Sequence, residues 1–404
     1  MFPCDQCGEC CRNLQLSELY SELDRGDGVC RYLVGNLCSI YPSRPLLCRI
    51  DESYDYFFKD SIQIKSRFLI SQKKRLSYKI IVCSCGGVNI KKLNEMRIKH
   101  ILIDDIENKS ILTILNTSKT LKRTVKEEQI TIIHTHHRMA AFYVAILRLY
   151  RKCIFINTNH NTFTDKKMLT RFAYRHAKLV ACGEMVKKNL IEVYGLSDKQ
   201  VTVIHNAVKP FDGEVVVDPL IEKLHDDEMF VVGSVGRLSE QKGMEYFIKA
   251  IPTVIKSKQK VRFVIAGSGE DETKLRKLSR KLAVERYLIF LGYRSDIQNL
   301  MSQLDLVVLS SLWEGLPLTP IEAFSVGKTI VATAVDGTVE IVRDGVNGYT
   351  VEPKNPEQLA EKIKYLLDHP EVKAIFEEHA KEQYHNKFSF EWLTQRYLEF
   401  YKSV

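Results

Sequence analysis

The rhythm of polar and apolar positions changes near residue 61 and again near Tyr78. From Tyr78 onward, short apolar runs alternate with stretches whose apolar residues recur about every three to four positions, as on one helix face. The runs predict strands at Lys79–Cys83, His100–Ile103, Ile130–His134, Ile154–Thr158, Leu179–Ala181 and Val201–Ile204. They resume at Met229–Ser234, Arg262–Ala266, Tyr287–Leu291, Leu306–Leu309, Thr329–Ala332 and Gly348–Val351. Helical patterns lie between them, as at Met244–Ile255, Asp271–Ala283, Asp296–Gln303 and Pro356–Leu367. Strands alternating with helices predict βα units and parallel sheets. Unbroken apolar strands such as Leu306-Val307-Val308-Leu309 fit sheets covered on both faces.

The pattern weakens between Lys209 and Glu228, where Pro210, Gly213 and Pro219 predict a linker between two α/β domains. Before Tyr78 it is different again. Ser61 to Lys79 carries Lys65, Arg67, Lys73, Lys74, Arg75 and Lys79 without an acidic residue. This stretch reads as a solvated helix packing one face on the next domain, or as a basic amphipathic helix on a membrane surface. Residues 1–60 hold short apolar runs among Cys, Gly, Asp and Tyr. They are too few to fold on a hydrophobic core without a staple.

Composition narrows this picture. The 404 residues are 45% hydrophobic, enough for more than one core. The net charge of +9 suits a phosphate-bearing ligand or an anionic membrane surface and requires no nucleic acid, so none is expected as a partner. No apolar run approaches the roughly 18–20 residues that span a bilayer, and the start lacks a signal-peptide pattern. A cytoplasmic protein is expected, with peripheral contact at the inner membrane face as an option. Of 11 cysteines, seven lie at Cys4, Cys7, Cys10, Cys11, Cys30, Cys38 and Cys48. In a reducing compartment thiolates this dense suggest zinc or iron rather than disulfides.

The chemistry concentrates after residue 229. One strand ends in Gly236-Arg237-Leu238 with Lys242-Gly243 close behind. Glycine lets backbone approach a ligand, Arg237 offers a planar fork and Lys242 a point charge, which together suit a diphosphate. Gly267 and Gly269 follow the next strand. Glu314 stands on a loop after the strand Leu306–Leu309, and Glu322 in the first turn of the helix behind it, where Thr319 as N-cap and Pro320 predict a capping box. Gly337 precedes a helix starting near Thr338. In the first half, His134, His136 and His137 follow one strand and His160 and Asn161 the next. Ligands bind at such carboxyl ends.

The order of Gly236-Arg237, Lys242-Gly243, the Glu314/Glu322 pair, Gly337 and Gly345 resembles glycosyltransferase family 4 over about residues 66–404. The resemblance implies the GT-B fold, two Rossmann-like domains with parallel sheets facing a cleft. It implies transfer from a nucleotide diphosphate sugar, with retention at the anomeric carbon and no metal needed for transfer. Arg237 and Lys242 would then hold the diphosphate with Gly236, Gly267 and Gly337 around them, and Glu322 would hold the ribose. Glu314 and His160 would be the catalytic pair beside the transferred sugar, with His136 on the acceptor side. Glu184 and Asn206 also match family positions.

By the same resemblance, Phe68–Leu76 looks like the end of the family's first helix and Tyr78–Cys83 like its second strand. The first strand and its Gly-Gly loop have no counterpart here, which implies exposed sheet edges and an incomplete site. Cys4-x2-Cys7-x2-Cys10-Cys11, with Cys38 and Cys48, resembles the CxxCxxCC family of zinc- or iron-chelate-binding proteins over about residues 1–60. The expected organisation is a Cys-rich module at 1–60, a basic linker or helix at 61–76 and an acceptor domain at 77–210. A linker at 211–228, a donor domain at 229–385 and a closing helix at 386–404 returning to the acceptor domain complete it. The expected function is transfer of a hexose or N-acetylhexosamine to a glycan or lipid-linked acceptor in cell-surface polysaccharide synthesis. The alternatives are an impaired nucleotide-sugar-binding protein and a metal-delivery module fused to a transferase remnant.

Overall fold

The structure, a computed structural model, describes residues 33–34, 37–38, 62–68, 77–86, 90–108 and 110–404. Leu33–Val34 (β1) and Leu37–Cys38 (β2) form a small antiparallel ladder. The thiols of Cys4, Cys7, Cys10, Cys11, Cys30 and Cys48 lie outside the described residues, and Cys38 is described only through its strand.

The rest contains two sheets. The first is built from Ile62–Phe68 (β3), Ser77–Ser84 (β4), Lys99–Leu102 (β5), Ile132–Thr135 (β6), Ile154–Asn159 (β7), Lys178–Ala181 (β8) and Val201–Val203 (β9), in the order β5-β4-β3-β6-β7-β8-β9. The second comprises Phe230–Val235 (β10), Val261–Ala266 (β11), Leu288–Gly292 (β12), Leu306–Leu309 (β13), Ile330–Thr333 (β14) and Gly348–Val351 (β15), in the order β12-β11-β10-β13-β14-β15. Every pairing in the second sheet is parallel. Each strand predicted from an apolar run is present, displaced by no more than two residues at either end.

The second sheet explains why its strands read as unbroken apolar runs. Val232, Phe263, Val308 and Val331 belong to one buried cluster, while Val231, Val264, Val307 and Ile330 belong to another. Successive side chains point to opposite faces, and both faces are covered. The architecture is α/β and GT-B-like, with two Rossmann-like domains.

The expected gap at the first strand is not there. β3 lies between β4 and β6 and pairs with both, antiparallel to each, with Ile62 opposite Cys83 and Gln63 opposite His134. The basic helix or linker expected at 61–76 is therefore a strand over Ile62–Phe68. Its direction has a simple cause. Only residues 69–76 separate it from β4, and a parallel crossover needs about a dozen or more residues, whereas a hairpin needs few. The substitution pairs β4 and β6 at the sheet centre, where they would otherwise present bare edges.

The stretch read as a linker also contains structure. Pro219–Asp226 is a helix whose cap Asp218 accepts from the backbone N–H groups of Leu220 and Ile221 at 3.0 and 3.3 Å. At the end of the chain, the helix Phe390–Ser403 lies on the first domain, where Tyr401 Oη is 2.6 Å from His134 Nδ1.

Candidate functional site

In the second sheet the strand order runs outward from β10 through β11 and β12 on one side and from β13 on the other. The β10/β13 junction is thus the topological switch point, where loops leaving adjacent carboxyl ends diverge and open a crevice. The loop after β10 carries Gly236, Arg237 and Lys242, and the loop after β13 carries Ser311 and Glu314. They are stitched together: Leu312 N–H donates to Gln241 C=O at 2.8 Å, and Ser310 Oγ donates to Lys242 C=O at 3.1 Å.

Lys242 Nζ donates to Glu314 Oε1 at 2.6 Å, and Ser311 Oγ donates to the same oxygen at 2.7 Å. The two charged side chains are 17% and 6% exposed, so the pair is largely withdrawn from water. The Glu314 backbone N–H donates to Asp336 Oδ2 at 2.9 Å, tying the loop after β13 to the turn after β14. Arg237 is arranged differently. It pairs with Glu270, from the loop after β11, at 3.2 Å, with side chains 72% and 58% exposed. Such a pair is worth about 0–1 kcal/mol, so the guanidinium is available to a stronger anion at little cost.

Glycine makes the closeness of these loops possible. A Cβ on Gly267 would stand 1.9 Å from the Gly236 carbonyl oxygen, and one on Gly337 would stand 2.0 Å from that of Gly315. At Gly236 an added Cβ would lie 3.6 Å from the Lys242 stem. Glu322 is partly buried on the helix Leu318–Ser325. The expected capping box does not form. The helix starts at Leu318 behind Pro317, without a side-chain cap, so Glu322 falls beyond its first turn. Pro320 sits within the opening turn, where its missing N–H would have been unpaired anyway.

The first domain contributes histidines at the carboxyl ends of β6 and β7. His136 Nδ1 lies 3.2 Å from His160 Nε2. Burial holds the His160 imidazole down at about 4, against a hydrogen bond with Asn206 that pulls it upward, so it is neutral at pH 7. His134 is buried beneath, between Tyr401 and Thr158 Oγ1, the latter 2.7 Å from its Nε2. His137 caps a helix by accepting from Met139 N–H. The two domains meet here: a Cβ on Gly315 would stand 2.0 Å from the His160 carbonyl oxygen, and Asn206 Nδ2 donates to Leu316 C=O at 3.3 Å.

The structure therefore brings Lys242 into contact with Glu314, and His136 together with His160. Arg237 stands on the β11 side of the same edge, and Glu322 one helix behind Glu314. Sequence reasoning did not single out Ser311, Asp336, Glu270 or the tyrosines of the last helix. Asp336 carried a signal, since an Asp-Gly pair marks a turn, and in the structure it takes a positive φ of 35°. Among the described residues, no group of three or more His, Cys, Asp or Glu side chains is arranged to hold a metal ion.

Residues 220–383 match the family of glycosyl transferases group 1, and residues 74–210 match glycosyltransferase family 4. An uncharacterized glycosyltransferase of Methanocaldococcus jannaschii is 26% identical over 346 residues, covering 78% of this chain and 85% of its own. The Escherichia coli UDP-Gal:alpha-D-GlcNAc-diphosphoundecaprenol alpha-1,3-galactosyltransferase is 27% identical over 264 residues, covering 61% and 68%. The crystal structure of Anabaena HepE with UDP-glucose superimposes with a TM-score of 0.68 at 23% identity, over 80% of this chain and 92% of that one.

Proposed function

From the premise that this chain is a glycosyltransferase carrying group 1 and family 4 domains, we propose that it moves a hexose or N-acetylhexosamine from a nucleotide diphosphate sugar to a glycan or lipid-linked acceptor. The observation that carries this reading is the β10/β13 crevice, with a shielded Lys242–Glu314 pair beside an exposed Arg237. The donor's diphosphate lies against Arg237 and Lys242, and its ribose against Glu322. As the anomeric carbon–oxygen bond breaks, the nucleoside diphosphate leaves with the electron pair. The two cations meet the charge that develops on it, and preorganised charge of this kind is worth about 10²–10³ in rate. The acceptor hydroxyl loses its proton to the leaving phosphate oxygen as it bonds to the same face of the sugar, which retains the configuration. Glu314 faces the sugar, and neutral His160 hydrogen-bonds to it from the opposite domain, with His136 towards the acceptor.

HepE was crystallised with UDP-glucose, and the E. coli relative is named for a UDP-galactose donor and a diphosphoundecaprenol acceptor, which supports a nucleotide sugar and a lipid-linked acceptor here. The first domain offers such an acceptor a matching surface. Ile111 and Leu112 are 75% and 73% exposed at the start of the helix Ile111–Glu127, which leaves the carboxyl end of β5. Lys119, Lys122, Arg123 and Lys126 follow on that helix. Apolar side chains backed by cations suit a membrane interface carrying anionic lipid. No described helix is long and apolar enough to cross a membrane. Completion of the first sheet by β3 favours a working transferase over an impaired binder. For residues 1–60 the proposal is a zinc- or iron-binding module, tested by elemental analysis of the full chain with and without them.

The test of the transfer reading compares wild type with Arg237→Ala and Glu322→Ala in donor hydrolysis and transfer, with the product's anomeric configuration read by NMR. Both variants are expected to lose about tenfold or more in kcat/KM. Equal turnover in all three would reject these roles, and an inverted product would reject retention.

A further inference from the structure

The Glu340 carboxylate bridges the two domains. Glu340 belongs to the short helix Thr338–Ile341 of the second domain. Its Oε2 accepts from Glu184 N–H at 2.8 Å, and its Oε1 from Met185 N–H at 2.9 Å. These are the opening N–H groups of the helix Glu184–Glu192 in the first domain. His205 Nε2, also of the first domain, stands 3.2 Å from Oε2. The Glu340 and His205 side chains are only 11% and 20% exposed. The helix's own cap residue, Gly183, has no side chain for the task, so Glu340, 156 positions beyond Glu184, performs it. A carboxylate there gains from charge-assisted hydrogen bonds and from the positive end of the helix dipole.

Gly183 is what admits Glu340. A Cβ at that position would stand 2.9 Å from Glu340 Oε2, yet the backbone φ of −165° is one that any residue adopts. The glycine therefore provides access rather than a special conformation. On the other side, Glu340 follows the turn of Asp336 and Gly337. That turn holds the Glu314 backbone N–H through the Asp336 carboxylate and rests on Gly315. One short segment thus grips the loop of Glu314 with one acidic residue and the opposite domain with another.

We propose that Glu340 is a positioning residue for sugar transfer: by capping the helix Glu184–Glu192, it holds the acceptor domain in register with the Glu314 and Asp336 loops. The inference rests on the transfer reading above. Glu340 touches neither donor nor acceptor in this scheme. It sets how the acceptor domain meets the donor seated beside Glu314, and a misplacement of about 1 Å between reacting partners costs on the order of 10²-fold.

The experiment uses the full chain with Glu340→Ala, Glu340→Gln, Gly183→Ala and the Glu340→Ala/Gly183→Ala double variant. Amide hydrogen exchange is read at Glu184 and Met185, and kcat and donor KM with UDP-glucose or UDP-galactose, whichever is turned over. In Glu340→Ala those two amides exchange faster while protection elsewhere stays, donor KM stays within about twofold, and kcat falls about 10–100-fold. Glu340→Gln, which keeps a carbonyl acceptor, recovers part of both. Gly183→Ala alone reproduces the loss by displacing the carboxylate, and adds nothing in the Glu340→Ala background. Unchanged exchange at Glu184 and Met185, additive effects, or a loss confined to KM would overturn the proposal. Were wild type and variants alike to turn over no donor, the exchange data would still decide whether the cap exists, and the failure would fall on the transfer reading.

Discussion

Replacing Lys242 by alanine removes the cation from a shielded pair and leaves Glu314, 6% exposed, without its charge partner. Breaking a buried ion pair from one side costs about 3–5 kcal/mol, because the remaining charge stays desolvated. Lys242 is itself 17% exposed, and Ser311 Oγ still donates to Glu314 Oε1. Both lower the penalty, to about 2–3 kcal/mol. For a domain of this size that is a fall in thermal midpoint of roughly 4–12 °C. In the proposed scheme Lys242 is one of the two cations facing the leaving diphosphate, so the same substitution should lower kcat/KM for donor hydrolysis about 10²–10³-fold. The two losses separate in the Lys242→Ala/Glu314→Gln double variant. Neutralising the stranded carboxylate restores most of the stability and none of the activity. Thermal melts followed by circular dichroism and steady-state donor hydrolysis measure both. A Lys242→Ala protein as stable as wild type, or a double variant no more stable than the single, would refute the shielded-pair reasoning. A Lys242→Ala protein with full turnover would refute the diphosphate role.

Other outcomes follow from the same geometry. Gly267→Ala forces a Cβ to within 1.9 Å of the Gly236 carbonyl and should cost about 1–3 kcal/mol, read as a lower urea midpoint, with weaker donor binding by calorimetry. For His160 the folded-state value of about 4 lies below the ordinary 6.5, so between those values the unfolded chain binds more protons. The stability this group contributes is complete above pH 6.5 and is lost as pH falls toward 4, so urea midpoints should drop across that window, and less steeply in His160→Asn. Ile111→Ser/Leu112→Ser removes exposed apolar surface without touching the core, so the melt should move by less than about 0.5 kcal/mol while sedimentation with anionic lipid vesicles falls.

Much of the fold was legible because buried parallel strands must be apolar on both faces, and that leaves a mark wherever the chain crosses a sheet. β3 left a fainter one. Ile62-Gln63-Ile64-Lys65 alternates as a strand should, but the run is short, its later positions are Ser66 and Arg67, and the family likeness from Phe68 onward pointed to a helix. What settles it is the vacancy between β4 and β6, a tertiary fact. The capping box failed for a similar reason: local spacing favoured Thr319, while the helix found its first turn at Leu318. The loops at Arg237, Lys242 and Glu314 were legible as glycine-rich strand ends. Their partners were not, because contacts such as His134 with Tyr401, 267 positions apart, or Glu340 with the amides of Glu184 and Met185, are set only when the second domain and last helix fold back on the first.

The most direct measurement is a crystal structure of the chain soaked with UDP, ADP or GDP. The diphosphate is expected at the carboxyl ends of β10 and β13, within hydrogen-bond reach of Arg237 and Lys242, with the ribose hydroxyls on Glu322. A bound nucleotide whose phosphates touch neither cation would contradict it.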